Sequence, residues 1–154
     1  MSAVVTRSAT LRPAQPLDAG AVGGIMSDFA RYTAWLPRIH TGAEDIAHAD
    51  AMIARGWVTV AEREGRVAGF AACQRGALDA LFVARSARGQ GIGSALLGAL
   101  KTRHKSLTCW TFQANAQAIA FYRQHGFAET GRGDGSANDE GLPDLTLHWQ
   151  REAA

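Results

Sequence analysis

The amino-acid sequence predicts an α/β fold, strictly α+β, with a mixed and mostly antiparallel sheet of six or seven strands and helices on both faces. Three observations carry this expectation. Residues 57–83 hold successive runs of strand character separated by tight glycine turns; a strand, a glycine-rich turn and a helix follow without interruption from Leu78 to His104; and strands alternate with a further helical segment after it. The 154 residues suit a single domain spanning 1–154 with a modest core, in which residues 1–8 are expected to be flexible.

Taken in order, Ala9 to Arg12 reads as a first strand ended by Pro13 and Pro16, after which Asp18 is placed to cap a helix with the apolar face Val22, Ile25, Met26 and Phe29. Gly20, Gly23 and Gly24 each cost such a helix about 1 kcal/mol relative to alanine, which predicts a weakly held segment dependent on packing. The aromatic stretch Phe29 to His40 then reads either as a pocket wall or as a loop covering the core. Thr41-x-x-Glu44 is a capping box opening a second helix with Ile46, Ala49, Met52 and Ile53 inward, closed by Gly56. Trp57 to Glu62 and Arg66 to Gln74 form a hairpin across Glu64-Gly65, and Gly76-Ala77 turns into a strand ending at Val83. From Ile92 the stripe Ile92, Ala95, Leu96, Ala99 and Leu100 marks a third helix, whose basic end (Lys101, Arg103, His104, Lys105) offsets the helix dipole. Ser106 to Gln113 alternates as a strand, a helix runs from Asn115 to Gly126, and Ala128 to Arg132 with Leu142 to Trp149 closes the chain as a hairpin.

Hydrophobic content of 47%, charged content of 19% and a formal charge of +2 are those of an ordinary globular protein, too weakly basic to predict a nucleic-acid partner. No apolar run approaches the roughly 18 residues of a membrane span, and the first ten residues lack a signal-peptide core, so no membrane partner and a cytoplasmic location are expected. Cys73 and Cys109 sit in strand-like apolar contexts and read as reduced thiols. The five histidines show no ligand spacing, and no metal is expected.

The chemistry concentrates in Arg88-Gly89-Gln90-Gly91-Ile92-Gly93-Ser94. Glycines there let the backbone approach a ligand, and the helix that follows points unpaired N–H groups and its positive dipole end into the turn, which suits an anion. A mononucleotide loop would need Gly-Lys-Ser/Thr, whereas Gly93 is followed by Ser94 and Ala95; a dinucleotide fingerprint would need a carboxylate about 20 residues on, where Leu107 to Thr111 offers none. The stretch instead resembles the acyl-CoA turn of the GCN5-related N-acetyltransferase (GNAT) superfamily, Gln/Arg-x-x-Gly-x-Gly/Ala, filled here by Arg88, Gly91 and Gly93. Asn115 and Tyr122 lie seven positions apart, so on a helix they share one side with an axial offset of about 10 Å. With Gly126-Phe127 they match the superfamily's second motif.

The resemblance implies acetyl-CoA as cosubstrate and transfer of its acetyl group to an amine by direct attack. It implies that the backbone of Leu81, Phe82 and Val83 holds the acyl end, with N–H groups near Phe82 and Val83 as oxyanion donors, and that the turn from Gly89 to Ser94, flanked by Arg88, holds the pyrophosphate. Asn115 would meet the pantetheine arm and Tyr122 would give a proton to the leaving thiolate. Several members carry a basic glutamate five residues before that asparagine; here Trp110 stands in its place. Asp79, expected to share a strand face with Leu81 and Val83, is a first choice for the base, and a hairpin-edge aspartate is an equal reading. The acceptor is expected to be a small-molecule or peptide amine framed by Tyr32 and Trp35 on one side and by Glu140 and Asp144, flanking Pro143, on the other. A homodimer, a non-catalytic acyl-CoA sensor and a nucleotide-binding oxidoreductase remain open alternatives at this level.

Overall fold

The computed structural model describes residues 9–152; the expectation for residues 1–8 lies outside them. Seven strands, β1 (Thr10–Pro13), β2 (Val58–Arg63), β3 (Arg66–Gln74), β4 (Ala77–Val83), β5 (Ser106–Phe112), β6 (Ala128–Gly133) and β7 (Asp144–Gln150), form one sheet in the order β1-β2-β3-β4-β5-β7-β6. Every neighbouring pair is antiparallel except β4 and β5. Helices α1 (Ala19–Tyr32) and α2 (Gly42–Ala54) precede β2, α3 (Ile92–Arg103) joins β4 to β5, and α4 (Ala116–Gln124) joins β5 to β6.

Strand alternation divides the core in two. Val58, Val60, Phe70 and Ala72 face Val22, Ala49 and Met52 of α1 and α2. Ala61, Ala71, Leu107 and Cys109 face Leu96, Leu97 and Leu100 of α3 and Tyr122 of α4. Burying each large side chain in such a layer contributes roughly 1.5–3 kcal/mol. The buried stripe of α3 is Ile92, Leu96, Leu97 and Leu100, while Ala95 is exposed, so the helix is rotated slightly from the face its alanines suggested. Its last carbonyls accept hydrogen bonds from Arg151, at 2.7 Å for Lys101 and 3.2 Å for His104.

Asp18 does not cap α1. Its carboxylate accepts from Arg12 at 2.8 and 3.0 Å and from the Gln15 N–H at 2.7 Å, within a short 3₁₀ turn, Pro16–Asp18, that precedes the helix. Arg12 also reaches Glu62 at 2.7 Å, so one guanidinium ties β1 to β2 and to the entry of α1. These hydrogen bonds hold the Asp18 carboxyl below its ordinary range. The capping box at α2 forms as the sequence predicts, Thr41 Oγ1 accepting from Glu44 N at 3.1 Å and Glu44 Oε1 from Thr41 N at 2.9 Å. The hairpin turn between β3 and β4 is Arg75-Gly76 (φ 50° and 84°), one residue earlier than expected, and repeats the left-handed pair Glu64-Gly65 (φ 55° and 74°).

The glycines of α1 are not equivalent. A Cβ on Gly23 would stand 2.7 Å from the Ile46 Cα and 2.8 Å from its backbone nitrogen, whereas one on Gly20 or Gly24 meets nothing within 4 Å. Gly23 is the point at which α1 crosses α2, and α1 is fixed there rather than loosely held. Gly23→Ala is therefore expected to destabilise the protein by about 1–3 kcal/mol through overpacking. Gly24→Ala should stabilise it by about 0.5–1 kcal/mol. Denaturant midpoints of the two variants, measured side by side, check the opposite signs.

Candidate functional site

The parallel pairing of β4 with β5 consists of Ala77↔Thr108 and Leu78↔Cys109 alone. Beyond it the strands part. On its other side β4 stays paired with β3 as far as Gly69↔Val83, but the register slips between Ala72 and Cys73, which face Ala80 and Leu78 and leave Asp79 without an opposite. This bulge turns Leu78 into the core layer that Leu81 and Val83 pack against, so Leu78 rather than Asp79 completes that apolar face. Asp79 is exposed, and its carboxylate accepts from Gln74 Nε2 at 2.9 Å.

Past Val83 the Ala84 N–H bonds the Ala68 carbonyl at 2.8 Å. By the two-residue period Phe82 and Ala80 then also turn their backbone groups to β3, and the N–H groups of Leu81 and Val83 face the gap. The N–H groups open to the gap are thus those of Leu81 and Val83, where the sequence pointed to Phe82 and Val83. A cavity of about 430 Å³ fills the gap, lined by β4, Trp110 and Thr111 of β5, Arg88 and Gly93 of the turn, and Asn115 and Tyr122 of α4.

Gly89 (φ 73°) and Gly91 (φ 83°) lie in the left-handed region, which only glycine enters without strain. Gly91 is the N-cap of α3 and carries no capping side chain, so the first N–H groups of the helix point unclaimed into the turn. A Cβ on Gly93 would come within 3.3 Å of the Phe121 ring, so its bareness lets α3 approach α4. The exposed Arg88 stands at the cavity rim. Two of the turn's side chains are engaged locally: Gln90 bonds Arg63 and the Ser86 carbonyl, and Ser94 Oγ lies 3.0 Å from His125 Nε2. Since His125 Nδ1 is 2.8 Å from the Phe121 carbonyl, it must be the donor there, leaving Nε2 to accept from Ser94.

Asn115 caps α4 through Oδ1, which accepts from Ala118 N at 3.1 Å, and also lines the cavity. Two turns on, Tyr122 is buried between Phe121 and Phe127, with its hydroxyl against the Cys109 thiol. Burial pushes the tyrosine well above its ordinary value, and it pushes Cys109 up to about 12. Both groups stay protonated at neutral pH. The partnership of Cys109 with Tyr122 was beyond sequence reasoning: alternation along β5 turns Cys109 inward but does not say what it meets.

A second cavity of about 250 Å³ lies on the α1–α2 side of the sheet. It shares Phe29, Phe82 and Phe112 with the first, so the aromatic stretch supplies a wall common to both. Its polar lining is Arg38, His40, Asp45, His48 and Glu140. Asp45 accepts from the buried Ser27 hydroxyl at 2.5 Å, tying α2 to α1. Of the four residues expected to frame an acceptor, Glu140 alone lines this cavity. Asp144 is held by Asn138 Nδ2 at 3.1 Å, inside a loop that Asn138 also fastens through Leu142. Trp35 packs edge-on against Phe29 and Phe112 behind the wall, and Tyr32 lies under the Arg85 guanidinium, 3.9 Å from its ring centre. Sequence reasoning passed over His48, whose signal was its place on α2 one turn after the acidic Asp45.

A gap beside a parallel strand pair, entered from a left-handed glycine turn, is the frame of an acyltransferase-type fold. Residues 54–129 match the acetyltransferase (GNAT) domain. The chain is 38% identical over 87 residues to a peptidyl-lysine N-acetyltransferase, YjaB, of Salmonella typhimurium, covering 56% of this chain and 58% of that protein. It is 35% identical over 103 residues to the Escherichia coli YjaB, covering 67% of this chain and 68% of that one. The structure of YncA from Salmonella typhimurium with acetyl-CoA superposes with a TM-score of 0.72 at 22% identity, over 95% of each chain, which shows the shared fold. The chain belongs to the GNAT acetyltransferase family.

The Cys109–Tyr122 pair predicts an alkaline limit to stability. An unfolded thiol titrates at about 9.0 and the folded one at about 12, so the folded chain binds more protons in between; stability is full below pH 9 and falls as pH rises toward 12. Tyr122, also raised, acts in the same sense. Cys109→Ser keeps a hydroxyl partner for Tyr122 and removes the titrating thiol, and denaturation midpoints from pH 8 to 11 should fall less steeply in that variant.

Proposed function

We propose that the protein is an acetyl-CoA-dependent N-acetyltransferase acting on a primary amine by direct attack. The observation that carries this reading is the meeting of the two cavities at Phe29, Phe82 and Phe112. A thioester laid from the glycine turn along α4 ends at that wall, and an amine entering from the α1–α2 side reaches the same place. A sensor that only bound acyl-CoA would have no use for the second cavity. The peptidyl-lysine N-acetyltransferase names of the relatives support a lysine side chain as the acceptor class.

The residues present fit such a cosubstrate. The free N–H groups of α3 and the rim residue Arg88 suit the pyrophosphate, and the Asn115 amide suits the amide-bearing arm. The N–H groups of Leu81 and Val83, already unpaired, receive the oxyanion without reorganisation. Tyr122 supplies a proton to the departing sulfur. A tyrosine held so far above its usual range would be a poor acid toward a solvated thiolate, but Cys109 reports what the same surroundings do to sulfur. A thiolate formed there is raised in basicity along with the tyrosine, and the proton moves without a large penalty. Negative charge from Asp45 and Glu140 favours a cationic acceptor at the second cavity.

Tyr122→Phe removes one hydroxyl and little volume, so acetyl-CoA affinity should hold while kcat falls by about 100-fold or more with a lysine peptide. Equal losses in affinity and rate would assign the tyrosine to packing. A second variant, Gly91→Val, forces a β-branched residue into φ 83° at a place where an added Cβ meets no atom within 4 Å, so the fold should survive while CoA binding, read by calorimetry, is lost.

A further inference from the structure

The amine must shed a proton before it can attack. At pH 7 an alkyl ammonium is neutral about once in 2,500 molecules, a deficit that a base at the acceptor site must make good. Trp110, which lines the first cavity, is half exposed and without a titratable group. Asp79 lines the first cavity and not the second, and its carboxylate is occupied by Gln74. The base has to come from the second cavity.

We infer that His48 is the general base of the transfer, taking one proton from the acceptor ammonium in the cavity between α1, α2 and the β6–β7 loop. The inference rests on the proposed acetyltransferase function. Of the cavity's titratable groups, Asp45 and Glu140 are carboxylates suited to holding the ammonium, Arg38 cannot act as a base at neutral pH, and His40 and His48 remain. His40 lies on the loop before α2 and its field falls on Glu44, the capping residue. His48 stands on α2 itself, exposed at the mouth of the cavity and one turn after Asp45, which Ser27 fixes at 2.5 Å. That stretch of helix packs in the same layer as Phe82, one of the rings shared by the two cavities. An imidazole at the cavity mouth, one helical turn from a carboxylate suited to holding the ammonium, is placed for the task.

The balance closes as follows. His48 takes one ammonium proton and passes it to solvent; the nitrogen lone pair forms the bond to the acetyl carbon; the C–S bond breaks and the sulfur takes the Tyr122 proton; the second proton shed by the new amide nitrogen restores Tyr122 through water.

The test uses the full chain, acetyl-CoA and a lysine-containing peptide, with kcat/KM followed from pH 6 to 9. Wild type should rise through the histidine range and level off. His48→Gln should fall about 100-fold or more at pH 7 and then climb with pH as the free amine appears, so that the ratio of wild type to variant shrinks at least tenfold by pH 9. His48→Ala should regain activity with added imidazole, which a loss of packing would not allow. A pH-independent ratio without imidazole rescue, or loss of the plateau in His40→Gln instead, overturns the assignment while the acetyltransferase reading stands. Failure of the wild type to acetylate any primary amine overturns both.

Discussion

Everything about the site depends on how little of β4 is paired with β5. Among the described residues two pairs hold the only parallel contact in the sheet, and beyond them that side of β4 faces a cavity. A buried strand edge without partners is ordinarily a liability, because each unpaired N–H carries the full desolvation penalty of a lost hydrogen bond. Here the edge lines the candidate site. Its donors are fixed in advance by the β3 ladder on the other side, which runs to Gly69↔Val83 and continues in the Ala84–Ala68 bond.

Around that edge the molecule is built as two layers that do different work. The α3–α4 layer presents the glycine turn, Asn115 and the buried Tyr122 with its sulfur neighbour, features that suit a long anionic thioester. The α1–α2 layer presents titratable groups at the mouth of a smaller cavity, held by the Gly23–Ile46 crossing and the Ser27–Asp45 hydrogen bond. The sheet separates the layers everywhere except at the gap. Small residues recur where the parts come closest, Gly23 between α1 and α2 and Gly93 between α3 and α4.

Much of this was legible in the sequence because it is local. The capping box of α2, the left-handed Glu64-Gly65 turn, the glycine turn feeding α3 and the two-turn spacing of Asn115 and Tyr122 are each written within a dozen residues. What escaped depends on partners distant in the chain. Asp18 looked like a cap until Arg12 claimed its carboxylate, Asp144 looked like a substrate contact until Asn138 did, and Gly23 looked like weakness until Ile46 crossed it. Asp79 was misplaced by a single bulge, since one extra residue reverses which face every earlier side chain takes. The second cavity draws on α1, the loop after it, α2 and the β6–β7 loop, and no window of the sequence contains it.

The three rings shared by the cavities belong to three different elements, Phe29 to α1, Phe82 to β4 and Phe112 to β5, and Phe29 touches Phe82 edge-on at 5.2 Å. A partition made of rotatable side chains is not a neutral divider. Under the proposed function a ligand on one side restricts the rotamers open to the other, and any coupling that results is reciprocal. Under the proposed function, the order of loading and unloading runs past three phenylalanines.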